Sequence, residues 1–123
     1  MIILDTSAVV EILRETQNVK RIKELCSGQE PSITSFTVYE LLTNVREGEI
    51  GDITKFLSLV KVYNFDSISA FQSAEIDKSL TFKGKKIQKS DLFIAGICFA
   101  NNAKLITLDK DFLEIAGLDL EMV

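Results

Sequence analysis

Apolar positions in this chain switch between short unbroken runs and stretches spaced three or four apart, the pattern of strands alternating with helices. Met1–Leu4 is such a run, closed by Asp5 and short enough for a buried strand, and Ala8–Leu13 follows as a short helix. Val19–Cys26 places Ile22 and Leu25 at helical spacing, and Ser27-Gly28 ends it. Pro31 leads into a brief strand around Ser32–Thr34, after which Thr37 opens a helix reaching about Val45. Gly48 and Gly51 mark a turn, and Gly51–Val60 then repeats Ile53, Phe56, Leu57 and Val60 with helical period. Val62–Phe65 reads as a strand and Ser67–Phe82 as a long, less regular helix carrying Ile68, Phe71, Ala74, Ile76 and Leu80. A basic link, Lys83–Lys89, precedes an apolar helix Asp91–Ala100 capped by Ser90. Lys104–Thr107 is a strand, Lys110–Ala116 a short helix, and Leu118–Val123 a last strand.

This alternation predicts an α/β fold: one domain over residues 1–123, with a mainly parallel sheet of about five short strands and helices on both faces. In such sheets the working crevice lies at the carboxyl ends of the strands. A composition of 46% hydrophobic and 26% charged residues, without repeats or low-complexity segments, is that of a globular protein. The start, Met1-Ile2-Ile3-Leu4-Asp5, lacks a charged leader, and the longest apolar run, Leu92–Ala100, is about half of what a bilayer requires. A soluble, cytoplasmic protein with no membrane partner is therefore expected. Cys26 and Cys98 lie within apolar stretches and read as small core residues.

Two features narrow the chemistry. The net charge is −4, so the overall field does not draw in nucleic acid, and any such binding needs a local basic patch or a metal. There is no histidine. That removes Ser-His-Asp and Cys-His catalysis and histidine-based RNA cleavage through the 2'-hydroxyl, and leaves zinc without its usual ligands. Carboxylates remain, and these suit hard cations such as Mg²⁺ or Mn²⁺.

Four acids fall at strand ends or helix beginnings. Asp5 follows the first strand, Asp109 lies just past Lys104–Thr107, Glu40 sits one turn into a helix, and Asp91 opens the apolar helix. Each also has a purely structural reading. Asp5 and Asp109 fit N-caps, Thr37-Val38-Tyr39-Glu40 fits a capping box, and Asp91 fits the positive end of its helix dipole. Taken together they gain weight, because clustered carboxylates repel by several kcal/mol unless a cation or proton lies between them. A divalent cation removes that penalty, polarises a phosphate and acidifies bound water, one route to phosphodiester hydrolysis without histidine. Thr6, Ser7 and Thr107, beside two of the acids, fit either a supporting role there or simple turn bonding. Lys85, Lys86 and Lys89 lie in the densest positive stretch, immediately before Asp91. They suit the backbone of a single-stranded substrate, or a solvated loop.

Four segments carry a resemblance. Ile2-Ile3-Leu4-Asp5-Thr6-Ser7-Ala8-Val9-Val10 resembles the opening of PIN-domain proteins, and Thr34-Ser35-Phe36-Thr37-Val38-Tyr39-Glu40-Leu41-Leu42 is similar to their second motif. Ser90-Asp91-Leu92-Phe93-Ile94-Ala95-Gly96 resembles the third, with Gly96 where alanine is commoner, and Leu105-Ile106-Thr107-Leu108-Asp109-Lys110-Asp111-Phe112 the fourth. In order and spacing they span nearly the whole chain, and the layout most resembles VapC-type toxins of toxin–antitoxin pairs.

The resemblance implies a single PIN-like nuclease domain. It implies a Mg²⁺- or Mn²⁺-dependent endoribonuclease that leaves a 5'-phosphate and a 3'-hydroxyl. It also implies a homodimer, inhibited by a small antitoxin. By position, Asp5 and Asp91 are then the main metal ligands and Glu40 and Asp109 complete the acidic site, with Asp111 the other candidate for the last acid. The helices Val19–Cys26 and Gly51–Val60 offer apolar faces to a subunit interface or, equally, to the core. Two other readings stand beside this one: a non-catalytic PIN-like binding or scaffold module, and a receiver-like domain with Asp66 as phosphoacceptor. The receiver lacks its adjacent acidic pair, because Thr6-Ser7 follows Asp5, and no lysine ends the final strand.

Overall fold

The computed structural model describes residues 1–123. Five strands, β1 (Ile2–Leu4), β2 (Ser32–Thr34), β3 (Lys61–Tyr63), β4 (Lys104–Thr107) and β5 (Leu120–Met122), form one sheet in the order β3-β2-β1-β4-β5. All neighbouring pairs are parallel, with Ile3 opposite Ser32 on one side of β1 and Leu105 on the other. Six helices connect them: α1 (Thr6–Leu13), α2 (Val19–Cys26), α3 (Ser35–Thr43), α4 (Ile50–Leu59), α5 (Ser67–Phe82) and α6 (Lys89–Ala100).

Strand side chains alternate between faces, and β1 shows how that divides the core. Ile2 and Leu4 pack with Ile33, Ile106 and residues of α1 to α4, whereas Ile3 packs with Leu105 and residues of α5 and α6. Both faces are thus covered, which is why the central strand β1 is apolar throughout rather than alternating. Each fully buried Ile or Leu contributes roughly 1.5–3 kcal/mol. Cys26 and Cys98 are free and buried, as expected of core residues, and burial pushes the Cys98 thiol up to about 12.

Several boundaries differ from the sequence pattern. The third helix starts at Ser35 rather than Thr37, because Thr34 is its cap and accepts the Thr37 N–H at 3.3 Å. The stretch after β4 is a 3-10 helix, Lys110–Glu114, and not a helix to Ala116. The strand expected at Val62–Phe65 is Lys61–Tyr63, which leaves Phe65 free to turn inward against Phe36 and Phe93. No helix is long and apolar enough to cross a membrane.

Gly96 is a requirement of the fold and no casual replacement of alanine. A Cβ there would fall 1.9 Å from the Ser73 hydroxyl oxygen and 2.5 Å from the Ser69 carbonyl oxygen. The gap lets α5 lie against α6 closely enough for the Ser73 hydroxyl to donate to the Leu92 carbonyl at 2.9 Å. That contact fixes α6 one residue beyond Asp91.

Candidate active site

The chain leaves β1 for β2 on one side and β4 for β5 on the other, so the sheet reverses its winding between β1 and β4. The carboxyl ends of two such strands diverge and leave a crevice. Asp5 follows β1 and Asp109 follows β4 at that crevice, while α3 brings Glu40 and α6 brings Asp91. The rings of Phe36 on α3 and Phe93 on α6 stack with centroids 5.3 Å apart, tying together the two helices that carry those last two acids.

Asp5 occupies the cap position of α1 but makes no side-chain cap hydrogen bond. Its Oδ2 instead accepts from the Thr107 hydroxyl at 2.7 Å and the Ser7 hydroxyl at 3.1 Å. Those hydroxyls are held in turn by backbone amides, Asp109 N–H on Thr107 at 2.9 Å and Leu108 N–H on Ser7 at 3.0 Å. Burial pushes the Asp5 carboxyl above the usual carboxylate range, the hydroxyls oppose this, and the charge of Asp109 adds to it.

Glu40 does not close a capping box, since Thr34 rather than Thr37 is the cap. Its Oε1 accepts from the Thr6 hydroxyl at 2.9 Å. A hydroxyl carries one proton, so the 3.0 Å contact between Thr6 and Thr37 is one in which Thr37 donates. Thr37 is fully buried, and the sequence marked it only as a helix cap and not for this bond, because its partner lies on another element. Burial raises the Glu40 carboxyl, opposed by Thr6.

Asp91 sits in the first turn of α6, whose cap position is Gln88 rather than Ser90. No protein group donates to its carboxylate. Burial first, and then the charges of Asp109, Asp5, Asp111 and Glu40, push it up to about 7. One carboxylate oxygen from each of Asp91, Asp109 and Asp111 lies within 4.8 Å of the others. The 3-10 turn explains why Asp111 joins them: Asp109 caps it, accepting the Asp111 N–H at 2.9 Å, and so draws the second acid back beside the first. The structural reading of Asp109 as a cap therefore holds, and the cap is also what brings the two acids together. The all-oxygen trio spans the size of a hard cation's ligand shell and fits Mg²⁺ or Mn²⁺ by donor type.

Elsewhere the expectations fare unevenly. Of the lysines expected to meet substrate, Lys85 is ion-paired with Glu114, while Lys86 and Lys89 are exposed and outside every ion pair. Asp66, the acid a receiver would phosphorylate, is the side-chain cap of α5, accepting from the N–H and hydroxyl of Ser69 at 2.8 and 2.7 Å.

The PIN domain family model matches residues 2–118. The chain belongs to the PIN domain family. This PIN domain is 29% identical over 126 residues to Ribonuclease VapC2 of Rickettsia felis, covering 96% of this chain and 94% of that protein. It superposes on a chain of the crystal structure of Rickettsia felis VapBC2 bound to a DNA fragment from their promoter, with a TM-score of 0.86 and 26% identity, covering 100% of this chain and 99% of that one. VapBC-1 from nontypeable Haemophilus influenzae gives a TM-score of 0.84 at 25% identity, covering 99% and 98%. The five-stranded parallel sheet with six helices is the PIN fold of these structures.

Proposed function

We propose that this PIN-domain protein is an endoribonuclease that uses Mg²⁺ or Mn²⁺, the toxin of a toxin–antitoxin pair acting in the cytoplasm. The observation that carries the metal dependence is the carboxylate trio of Asp91, Asp109 and Asp111, which no protein cation or donor neutralises except the backbone N–H on Asp109. The family membership and the likeness to a VapC ribonuclease support the substrate class.

Asp91, Asp109 and Asp111 are the residues to hold the cation, with Asp5 facing the same charge. A bound Mg²⁺ or Mn²⁺ supplies polarisation of a phosphate oxygen and acidifies water toward neutrality. Glu40, raised by burial and oriented by Thr6, takes the proton of the attacking water. Ser7 and Thr107 hold the Asp5 carboxylate in place by two hydroxyl hydrogen bonds and oppose the upward push of burial. Lys86 and Lys89 attract the substrate backbone electrostatically. A small antitoxin partner is supported by the VapBC complexes this chain resembles. A homodimer would cover exposed apolar side chains such as Tyr39 on α3 and Phe71 on α5.

The test is cleavage of end-labelled single-stranded RNA with Mg²⁺ or Mn²⁺, with chelator, and by Asp5→Asn and Asp91→Asn variants. Metal-dependent cutting that folded variants lose, with 5'-phosphate products, is the expected result. Cyclic phosphate ends, or equal cutting by the variants, would sink the mechanism.

A further inference from the structure

Beside the acids, and sharing Thr6 and Glu40 with them, is a pocket of about 170 Å³ between α1, α3 and α4. Its walls are the apolar side chains of Val10, Leu13, Leu41 and Ile53. Two polar groups line it besides the site residues and Glu49. The Arg14 guanidinium is fixed by Glu49, its Nε and Nη2 donating to the two carboxylate oxygens at 3.1 and 3.4 Å. Glu49 is itself anchored by the Arg46 backbone N–H at 2.9 Å. Asn44 spends its amide nitrogen on the Glu40 carbonyl at 2.9 Å and the Thr43 hydroxyl at 3.5 Å, which leaves its carbonyl oxygen without a protein donor.

From this we infer that the pocket is a subsite for one unstacked nucleobase of the RNA, belonging to a nucleotide that flanks the scissile phosphate. The inference rests on the ribonuclease reading and deepens it. A base is a flat apolar plate with a hydrogen-bonding edge, and proteins that read single-stranded RNA stack such plates on aromatic rings or on guanidinium planes. This pocket contains no aromatic residue, but it has a guanidinium whose plane is set in advance, aliphatic walls for the ring and one free acceptor for an amino or ring N–H. The charge of Arg14 is already spent on Glu49, so the pocket suits a neutral base and not a phosphate. A phosphate belongs on the cation side, across Glu40. Continuity with Thr6 and Glu40 puts the occupant within a nucleotide of the chemistry, and this favours substrate over a protein segment. Arg14 and Asn44 then act on specificity and binding, and neither moves the reacting proton.

The experiment is an abasic scan. The wild-type protein with Mg²⁺ cleaves a set of single-stranded oligonucleotides, each lacking the base at one position on either side of the cut. We expect kcat/KM to fall about tenfold or more at one flanking position, the size of a single stacked base. Arg14→Ala, and separately Asn44→Ala, should lower kcat/KM on the intact RNA and shrink the abasic penalty at that position only, because the base no longer has the partner. Asn44 is exposed, so its variant keeps the test valid if Arg14→Ala unfolds. A flat scan by an active wild-type enzyme, the result expected if a protein segment fills the pocket, overturns the subsite and leaves the ribonuclease standing. An unchanged penalty in both folded variants also overturns it. No cleavage of any RNA by wild type removes the ribonuclease reading and the subsite with it.

Discussion

Asp5 and Asp91 share one crevice and are similarly buried, with 6% and 8% of their surface exposed, but their surroundings differ. Asp5 accepts two hydroxyl hydrogen bonds, while Asp91 accepts none and faces four other acids. A buried carboxylate with donors is a completed structural unit, since each charge-assisted bond offsets desolvation by about 1.5–3 kcal/mol. A buried carboxylate without them is unfinished and has to acquire a proton or a cation. Asp5 at the end of β1 is therefore self-supporting, whereas Asp91 on α6 is left to a proton or a cation.

The largest effect should come from the dependent side. Asp91→Asn is expected to cut cleavage roughly a thousandfold, the scale of losing a cation's transition-state stabilisation. In the same variant the metal-free protein should melt higher than wild type, because a repelled charge is gone. Calorimetry in chelator checks this, and a lower melting temperature would break the contrast.

Metal removal is next in size. At a hundred times its Kd, Mg²⁺ stabilises by about 2.7 kcal/mol, which thermal unfolding with and without chelator reads directly. The pH dependence in chelator has a definite sign. The Asp91 carboxyl moves from 3.8 to about 7 on folding, so the folded state holds the extra proton. The stability this proton confers is fully present below about pH 4 and is lost as pH rises through about 7. The metal-free melting temperature should thus fall from pH 5 to pH 8, and Asp91→Asn should flatten that fall.

Smaller effects come from the supported side. Thr107→Val leaves Asp5 with one hydroxyl instead of two and should cost about 1–3 kcal/mol by denaturant unfolding, with Thr107→Ser restoring most of it. Thr37→Val should cost about 1 kcal/mol and lower kcat more than it changes KM, since it only steadies the Thr6 hydroxyl that aims Glu40. Equal losses in kcat and in RNA affinity would show Thr37 to be packing alone.

How much of this was legible in the chain depends on the distance over which each fact operates. Strands β2 and β4 were readable to the residue, because Pro31 and the apolar run Leu105-Ile106 carry local signals. The start of α3 was not, because Thr34 and Thr37 are equally good caps in isolation and only the sheet decides between them. All four expected acids do meet in one crevice. Asp111 could be placed only as a rival to Asp109, since the stretch read as a helix to Ala116 is a tighter 3-10 turn whose cap bond gathers both acids. Why glycine stands at position 96 was out of reach of the sequence, because Ser73, whose hydroxyl a Cβ would strike, lies on another helix.

The clasp between Ser7 and Thr107 joins residues separated by 100 positions. A chain emerging from the ribosome exposes Asp5, Glu40 and Asp91 well before Thr107 and Asp109 are available. Until then β1 lacks the neighbour that completes its flank, Asp5 lacks the Thr107 hydroxyl, and the acidic trio is one acid of three. Synthesis order thus delays assembly of the acidic crevice until Thr107, Asp109 and Asp111 have left the ribosome, close to the end of the chain.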